Sequence, residues 1–333
     1  MIISQTPLRI SFVGGGTDIE SYYSIESGQV LSATIDKYVF VIVKERFDSD
    51  IYVSWSQKQE VVNDVRKIEH ELVRESLIKV GIKKSVEITM LADIPSSGSG
   101  LGSSSSITVG LLNALYAFKG ISVTAETLAE QACEIEIDIL GKPIGKQDQY
   151  ATAYGGLNKI IFNADHSVDV SPVELLSTER LLLGSNLILQ FTGITRDANS
   201  ILFDQKLETE KNKIELAKIS SFVPILYKAL NEKRFDELGI LLKKNWEYKK
   251  QLSDEITNDK IEEMVATADI NGALGCKISG AGGGGFLLSY VPREYQNNFR
   301  KAMEEYTELP FMLDPFGSRI IFNMSRYNAG FNI

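Results

Sequence analysis

A chain of 333 residues, 44% of them apolar, can bury a sizeable core and has the length of about two domains. Its 35 Lys and Arg against 44 Asp and Glu leave a net charge of −9, which opposes sequence-independent attraction to nucleic-acid phosphates or anionic lipid, so neither is expected as a partner. Two cysteines (Cys133, Cys276) and two histidines (His70, His166) exclude a disulfide framework, a cysteine zinc site and a histidine-based nucleophile pair, leaving the chemistry to carboxylates, hydroxyls, Arg, Lys and backbone amides.

The first residues, Met1–Pro7, lack the basic, apolar and small-residue succession of a secretion signal, and no apolar run reaches the roughly 20 residues that span a bilayer. A soluble, cytoplasmic protein with free thiols is expected. In chain order, β-branched and aromatic runs predict strands at Leu8–Val13, Val39–Lys44, Ile51–Ser54 and Val86–Leu91. Helical spacing covers Asn63–Val80, Ile107–Lys119 and Ala125–Leu140, the last with Leu128, Ala132, Ile135 and Ile139 on one stripe. A looser segment at Asp165–Ser177 precedes a strand at Asn186–Thr192. Helical sequence then runs from about Ile201 to Ala268, with expected breaks near Pro224 and at Ser253–Asn258. Strand Leu274–Ile278, a glycine loop, strand Gly285–Tyr290, helix Arg293–Tyr306 and short strands near Phe311 and Arg319–Phe322 close the chain. These predict an amino-terminal α/β domain over 1–180 and a carboxy-terminal α+β domain over 181–333.

Three glycine-rich segments punctuate this order. Pro7–Asp18 (PLRISFVGGGTD) is a strand opening into a glycine turn that presents Gly16, Thr17 and Asp18; a carboxylate there can accept hydrogen bonds from sugar hydroxyls, or simply cap a helix. Pro95–Ser106 (PSSGSGLGSSSS) has the composition of a linker but lies between a strand and an apolar helix. Unpaired amides and the dipole of a helix start favour a polyphosphate at such a junction, and a serine hydroxyl can reach a bound metal. Lys277–Leu288 (KISGAGGGGFLL) contains Gly-x-Gly-x-x-Gly, but a strand follows it where a dinucleotide-binding fold needs a helix. Between the second and third lies an acidic pair. Glu136 falls about 70° from the centre of its helix's apolar stripe, and Asp148 follows a Pro/Gly break. A phosphate cradle calls for a carboxylate beside a magnesium ion and another that accepts a hydroxyl proton.

Together the three segments resemble the three motifs of the GHMP small-molecule kinases, in order and across nearly the whole chain. Pro7–Asp18, Gly145–Tyr150 (GKQDQY) and Phe191–Arg196 (FTGITR) most resemble the heptose 7-phosphate kinase branch, while sugar 1-kinases such as fucokinase share similar segments. The resemblance implies the α+β GHMP two-domain fold, with a left-handed β-α-β crossover in the first domain and a ferredoxin-like second domain. It implies ATP and Mg2+ as cofactors and phosphorylation of the anomeric hydroxyl of a heptose 7-phosphate, on the way to nucleotide-activated heptose. A neutral-sugar 1-kinase and a non-catalytic sugar and ATP sensor are the alternatives. By motif position, Asp148 is the expected catalytic aspartate, with Arg9 beside it steadying the transferring group. Gly98, Gly100, Leu101, Gly102, Ser103, Ser104 and Ser105 are expected to hold the nucleotide. Ser104 and Glu136 are expected to hold the metal, with Ser103 or Ser105 able to replace Ser104. Gly16, Thr17, Asp18, Gly282 and Gly283 are expected to face the sugar, and Arg196 its distal phosphate, with Lys142 and Lys146 as lesser candidates. Trp55, His70 and Arg74 read as packing.

Overall fold

The computed structural model describes residues 1–94, 98–195, 202–203 and 208–324. Its frame is the pairing of β1 (Ile2–Val13) with β2 (Gly28–Glu45), antiparallel along nearly all of β1. Sequence alternation sets what β1 presents: Leu8, Ile10 and Phe12 lie on one face and are fully buried, while Arg9 and Ser11 lie on the other, toward the cavity described below. Pro7, which cannot donate to the ladder, sits at a register shift where Pro7 opposes Tyr38 and Leu8 opposes Ile35.

β2 is far longer than its apolar run predicts because two different strands complete it. β5 (Val86–Ala92) pairs with one half, and β6 (Leu157–Phe162) with the other. β3 (Ile51–Trp55) lies parallel to β5, β4 (Lys58–Val62) forms a hairpin with β3, and β7 (Val168–Pro172) pairs with β6. Helix α3 (Ser103–Phe118) packs on this sheet at Gly110, where a Cβ would come within 2.8 Å of the Thr6 hydroxyl. The second sheet is antiparallel, in the order β11 (Glu308–Leu309), β8 (Leu187–Phe191), β10 (Phe286–Tyr290), β9 (Gly275–Ile278). Its core includes Trp246, Ile261, Leu287 and Phe299. The last strand among the described residues, β12 (Arg319–Asn323), returns to pair with β1, so segments from early and late in the chain share one sheet.

Three local expectations are corrected. α3 begins at Ser103 rather than Ile107, because Gly102 caps it at φ +78° and the Ser106 hydroxyl bonds the carbonyls of Pro7 and Gly102. Pro224 does not interrupt its helix, α7 (Lys213–Asn231). The Ser220 carbonyl, deprived of a partner by the proline, accepts from Gln29 Nε2 at 3.2 Å. The predicted helix over 125–140 is α-helical only as α4 (Ala125–Cys133) and continues as a π-turn over Glu134–Ile139, with Leu140 N–H bonded to the Ile135 carbonyl at 3.0 Å. The wider turn changes the phase of the stripe: Glu136 is 0% exposed, and Ile139, expected inside, is 49% exposed. Both cysteines are free and buried. Among the described residues no helix is long and apolar enough to cross a membrane.

Candidate active site

The glycine turn after β1, the start of helix α5 (Gln147–Tyr154), the serine-glycine loop before α3 and the loop between β9 and β10 converge on one cavity. It opens to solvent, and Arg9, Gly16, Asp18, Gly145, Asp148 and Gly280 are among its lining residues. At its centre Arg9 donates from Nε to Asp148 Oδ1 at 2.7 Å and from Nη2 to Oδ2 at 2.6 Å, while Nη1 donates to the Gly100 carbonyl at 2.6 Å. This paired geometry holds the carboxylate plane in place. Arg9 is 6% exposed in its side chain and Asp148 27%, and both line the cavity, the acid with the more open face. Asp148 is the second residue of α5, which starts just after Gly145.

Asp18 faces the same space. Its Oδ1 accepts from Gly16 N–H at 3.0 Å and its Oδ2 from Gln147 N–H at 3.2 Å. Burial raises its pKa, the Asp148 charge adds to the rise, and the two amides oppose it. A Cβ on Gly145 would lie 2.0 Å from Asp18 Oδ2, so only glycine lets the two strands of chain meet there. Thr17, expected at the sugar, is fully buried, and its hydroxyl is engaged by Gly14 and Gln29 of the backbone.

The serine-glycine loop and the third glycine loop touch backbone to backbone. A Cβ on Gly100 would lie 2.4 Å from the Ser279 carbonyl oxygen, and one on Gly280 would lie 2.6 Å from Gly100 Cα. Gly98 belongs to the same seam: its carbonyl lies 3.1 Å from where a Cβ of Gly285 would stand. Gly280 and Ala281 line the cavity, whereas Gly282 packs on Ile256 and the Gly283 amide donates to the Ile256 carbonyl at 2.7 Å. Leu101 is buried, with its carbonyl accepting from Arg9 N–H at 2.9 Å. The helix start at Ser103, Ser104 and Ser105 aims first-turn amides outward, where no preceding turn can accept from them. Ser103 and Ser105 are buried and Ser104 is exposed, its hydroxyl donating to Glu136 Oε2 at 3.1 Å. Burial raises the Glu136 pKa, opposed by Lys142, whose Nζ lies 3.8 Å from Oε2, and by the hydroxyls of Thr108, Ser105 and Ser104.

Two buried lysines are not among the candidate site residues, Lys249 outside the three glycine segments and Lys277 at the start of the third. Lys249 ends helix α8 (Asp236–Lys249), lines the cavity and donates to the Gly280 carbonyl. Lys277 donates to the Ser11 and Phe12 carbonyls at 2.9 and 3.3 Å, tying β9 to β1. The available signal for Lys249 is its phase: it continues the stripe of Leu238, Leu242 and Asn245, a lysine on a buried helical face. Arg196 lies outside the described residues. Lys146 lies beside the cavity, its ammonium over the Tyr23 ring, and Trp55 packs edge-on against His70 with centroids 5.0 Å apart.

Residues 63–156 match the GHMP kinases N terminal domain and residues 226–308 the GHMP kinases C terminal domain. The chain is similar to a D-glycero-alpha-D-manno-heptose 7-phosphate kinase of Campylobacter jejuni, 33% identical over 317 residues that cover 91% of this chain and 93% of that one. It is also similar to an L-fucokinase/L-fucose-1-P guanylyltransferase of Bacteroides fragilis, 26% identical over 86% of this chain but only 34% of that longer protein. A crystal structure of a D-glycero-D-manno-heptose 1-phosphate kinase from Bacteroides thetaiotaomicron superposes with a TM-score of 0.82 at 26% identity, covering 98% of this chain and 100% of that one. The α+β architecture, with its central acid, glycine loops and serine-rich helix start, is the GHMP kinase fold. The chain belongs to the GHMP kinase family and is a small-molecule kinase.

Proposed function

We propose that this kinase transfers the γ-phosphoryl group of ATP to the anomeric hydroxyl of D-glycero-D-manno-heptose 7-phosphate, giving the 1,7-bisphosphate. The observation that carries this reading is the shared cavity of Asp148 and Asp18, beside the start of α3, together with the relatedness to a heptose 7-phosphate kinase across nearly the whole chain. Asp18 accepts from the sugar's hydroxyls. Asp148, fixed by Arg9, accepts the proton of the attacking hydroxyl as its oxygen bonds the γ-phosphorus. The bond from that phosphorus to the bridging oxygen breaks, and ADP leaves with the electron pair. The first-turn amides of α3 face the nucleotide's phosphates, and holding both reactants in line supplies much of the rate.

Ser104 and Glu136 are the residues that would hold a magnesium ion. Their donor set is all oxygen, and no group of three or more His, Cys, Asp or Glu gathers as a self-sufficient site among the described residues. That suits an ion carried in by the nucleotide and completed by phosphate and water oxygens. When bound, it neutralises phosphate charge.

The names of the two heptose kinase relatives place the phosphate at different positions, 7 and 1. The test is therefore acceptor-dependent ADP release, with mass detection of the product, across heptose 7-phosphate, heptose 1-phosphate, mannose, fucose and galactose. The reading expects heptose 7-phosphate to give the highest kcat/KM and a bisphosphate product. A neutral sugar turned over faster would replace the acceptor, and no ADP from any acceptor would favour a sensor.

A further inference from the structure

Arg9 reaches the cavity with its three side-chain nitrogens already engaged, two on Asp148 and one on the Gly100 carbonyl. A phosphoryl group moving between nucleotide and sugar spreads charge over its oxygens, and the two N–H groups that these bonds leave to Arg9 meet only part of it. Lys249 enters the cavity from the carboxy-terminal unit. Its ammonium carries more N–H donors than the Gly280 carbonyl uses. Gly280 is packed on Gly100, so the ammonium sits where the serine-glycine loop, the third glycine loop and the Arg9–Asp148 pair meet. The charged groups acting on it are Arg9 of β1, Asp18 of the following turn, Asp148 of α5 and Lys277 of β9. It is 4% exposed. A cation so placed has a desolvation cost that a methionine of similar length would not carry, a conflict with simple core packing of the kind found at functional positions.

We propose that Lys249 is a catalytic residue whose ammonium donates to the transferring phosphoryl group, adding positive charge from the carboxy-terminal unit to that of Arg9. The assignment rests on the kinase reading above and adds to it a residue outside the three motifs.

The test compares the parent enzyme with Lys249→Met and Lys249→Ala, using ATP and the acceptor that the panel selects. The expected result is a fall in kcat of about 10²- to 10³-fold, the scale for removing one preorganised donor to a transition state. The acceptor KM should move less than about threefold, and the Tm of Lys249→Met should be no lower than the parent's. Methylammonium added to Lys249→Ala should restore part of kcat and leave the parent unaffected, a response that a packing role would not produce. If the methionine variant does not fold, amine rescue of the alanine variant decides. A kcat within about threefold of the parent, a rise in acceptor KM with kcat retained, or activity lost in step with Tm and without amine rescue would each overturn the assignment. A parent enzyme that releases no ADP with any acceptor would instead overturn the kinase reading, and this residue's role with it.

Discussion

Replacing Asp148 by asparagine separates the chemistry of the acid from its place in the architecture. The aspartate accepts two short bonds from Arg9, at 2.7 and 2.6 Å. Asparagine keeps one acceptor oxygen and turns an amide N–H2 toward the other guanidinium donor, so one charged bond is lost and two donors face each other. A hydrogen bond to a charged group contributes about 1.5–3 kcal/mol. The Asp148 side chain is 27% exposed, so water offsets part of that loss, and about 2 kcal/mol is the expected destabilisation. At an unfolding entropy of about 2.1 cal/mol/K per residue, a chain of 333 residues would lose about 3 °C in Tm. The catalytic effect should be much larger. Loss of a positioned base lowers kcat by about 10²- to 10⁴-fold, or about 3–5 kcal/mol in the barrier. ATP affinity should be nearly unchanged, because the proposed mechanism assigns the phosphates to the first-turn amides of α3 and not to Asp148. The assay is steady-state ADP release well below the variant's Tm, with thermal melting and ATP titration on the same preparation. Turnover within about threefold of the parent would refute the role of Asp148, and a tenfold loss of ATP affinity would refute the separation of the two subsites.

Gly145→Ala should raise the acceptor KM by about tenfold or more with ATP binding retained, because its Cβ would lie 2.0 Å from Asp18 Oδ2 and must displace that carboxylate; parallel acceptor and ATP titrations check it. Glu136→Gln should raise the Mg2+ concentration for half-maximal activity by about tenfold while leaving Tm equal or higher, since burial disfavours the carboxylate's charge; an unchanged Mg2+ requirement would remove Glu136 from the metal's ligands. Burial, with Arg9 adding to it, lowers the Lys249 pKa to about 8 from 10.5, and Asp18 and Asp148 oppose the shift. With the folded value below the unfolded one, its burial penalty is fully present below pH 8 and relieved as pH rises toward 10.5. That gap corresponds to about 3 kcal/mol, so the Tm advantage of Lys249→Met over the parent should be largest near pH 7 and shrink by pH 10 in paired melts.

Much of the site was legible in the chain because each glycine segment combines a backbone requirement with a local function. A Gly-Gly-Gly-Thr-Asp turn, a serine run at a strand-to-helix junction and a glycine loop between strands are short-range features, whereas Asp148 is reached only through motif position, since an aspartate after a Pro/Gly break reads equally as a turn residue or N-cap. Thr17 illustrates the limit of such reading. A threonine in a motif turn has the same sequence signature whether its hydroxyl faces a ligand or, as here, closes the turn onto Gly14 and Gln29. Glu136 shows another limit, since an α-helical wheel places it at the edge of a stripe and the π-turn carries it fully inside.

Local propensity and periodicity therefore determined many of the strands, helices such as α3 and α4, and the three glycine loops, and motif order determined the family, while β4, β6 and β7 lie in segments that carry no strand prediction. Only the tertiary structure decided how far β2 extends, because its length depends on β5 and β6 pairing with different halves. It alone decided that Pro224 leaves α7 unbroken, since Gln29 supplies the missing donor from a residue far away in the chain. It also brought Lys249 to the cavity. A lysine on a helical stripe is uninformative until packing removes it from water and sets it beside Gly280, Asp18 and Arg9, for periodicity reports which face is buried and not what it is buried against.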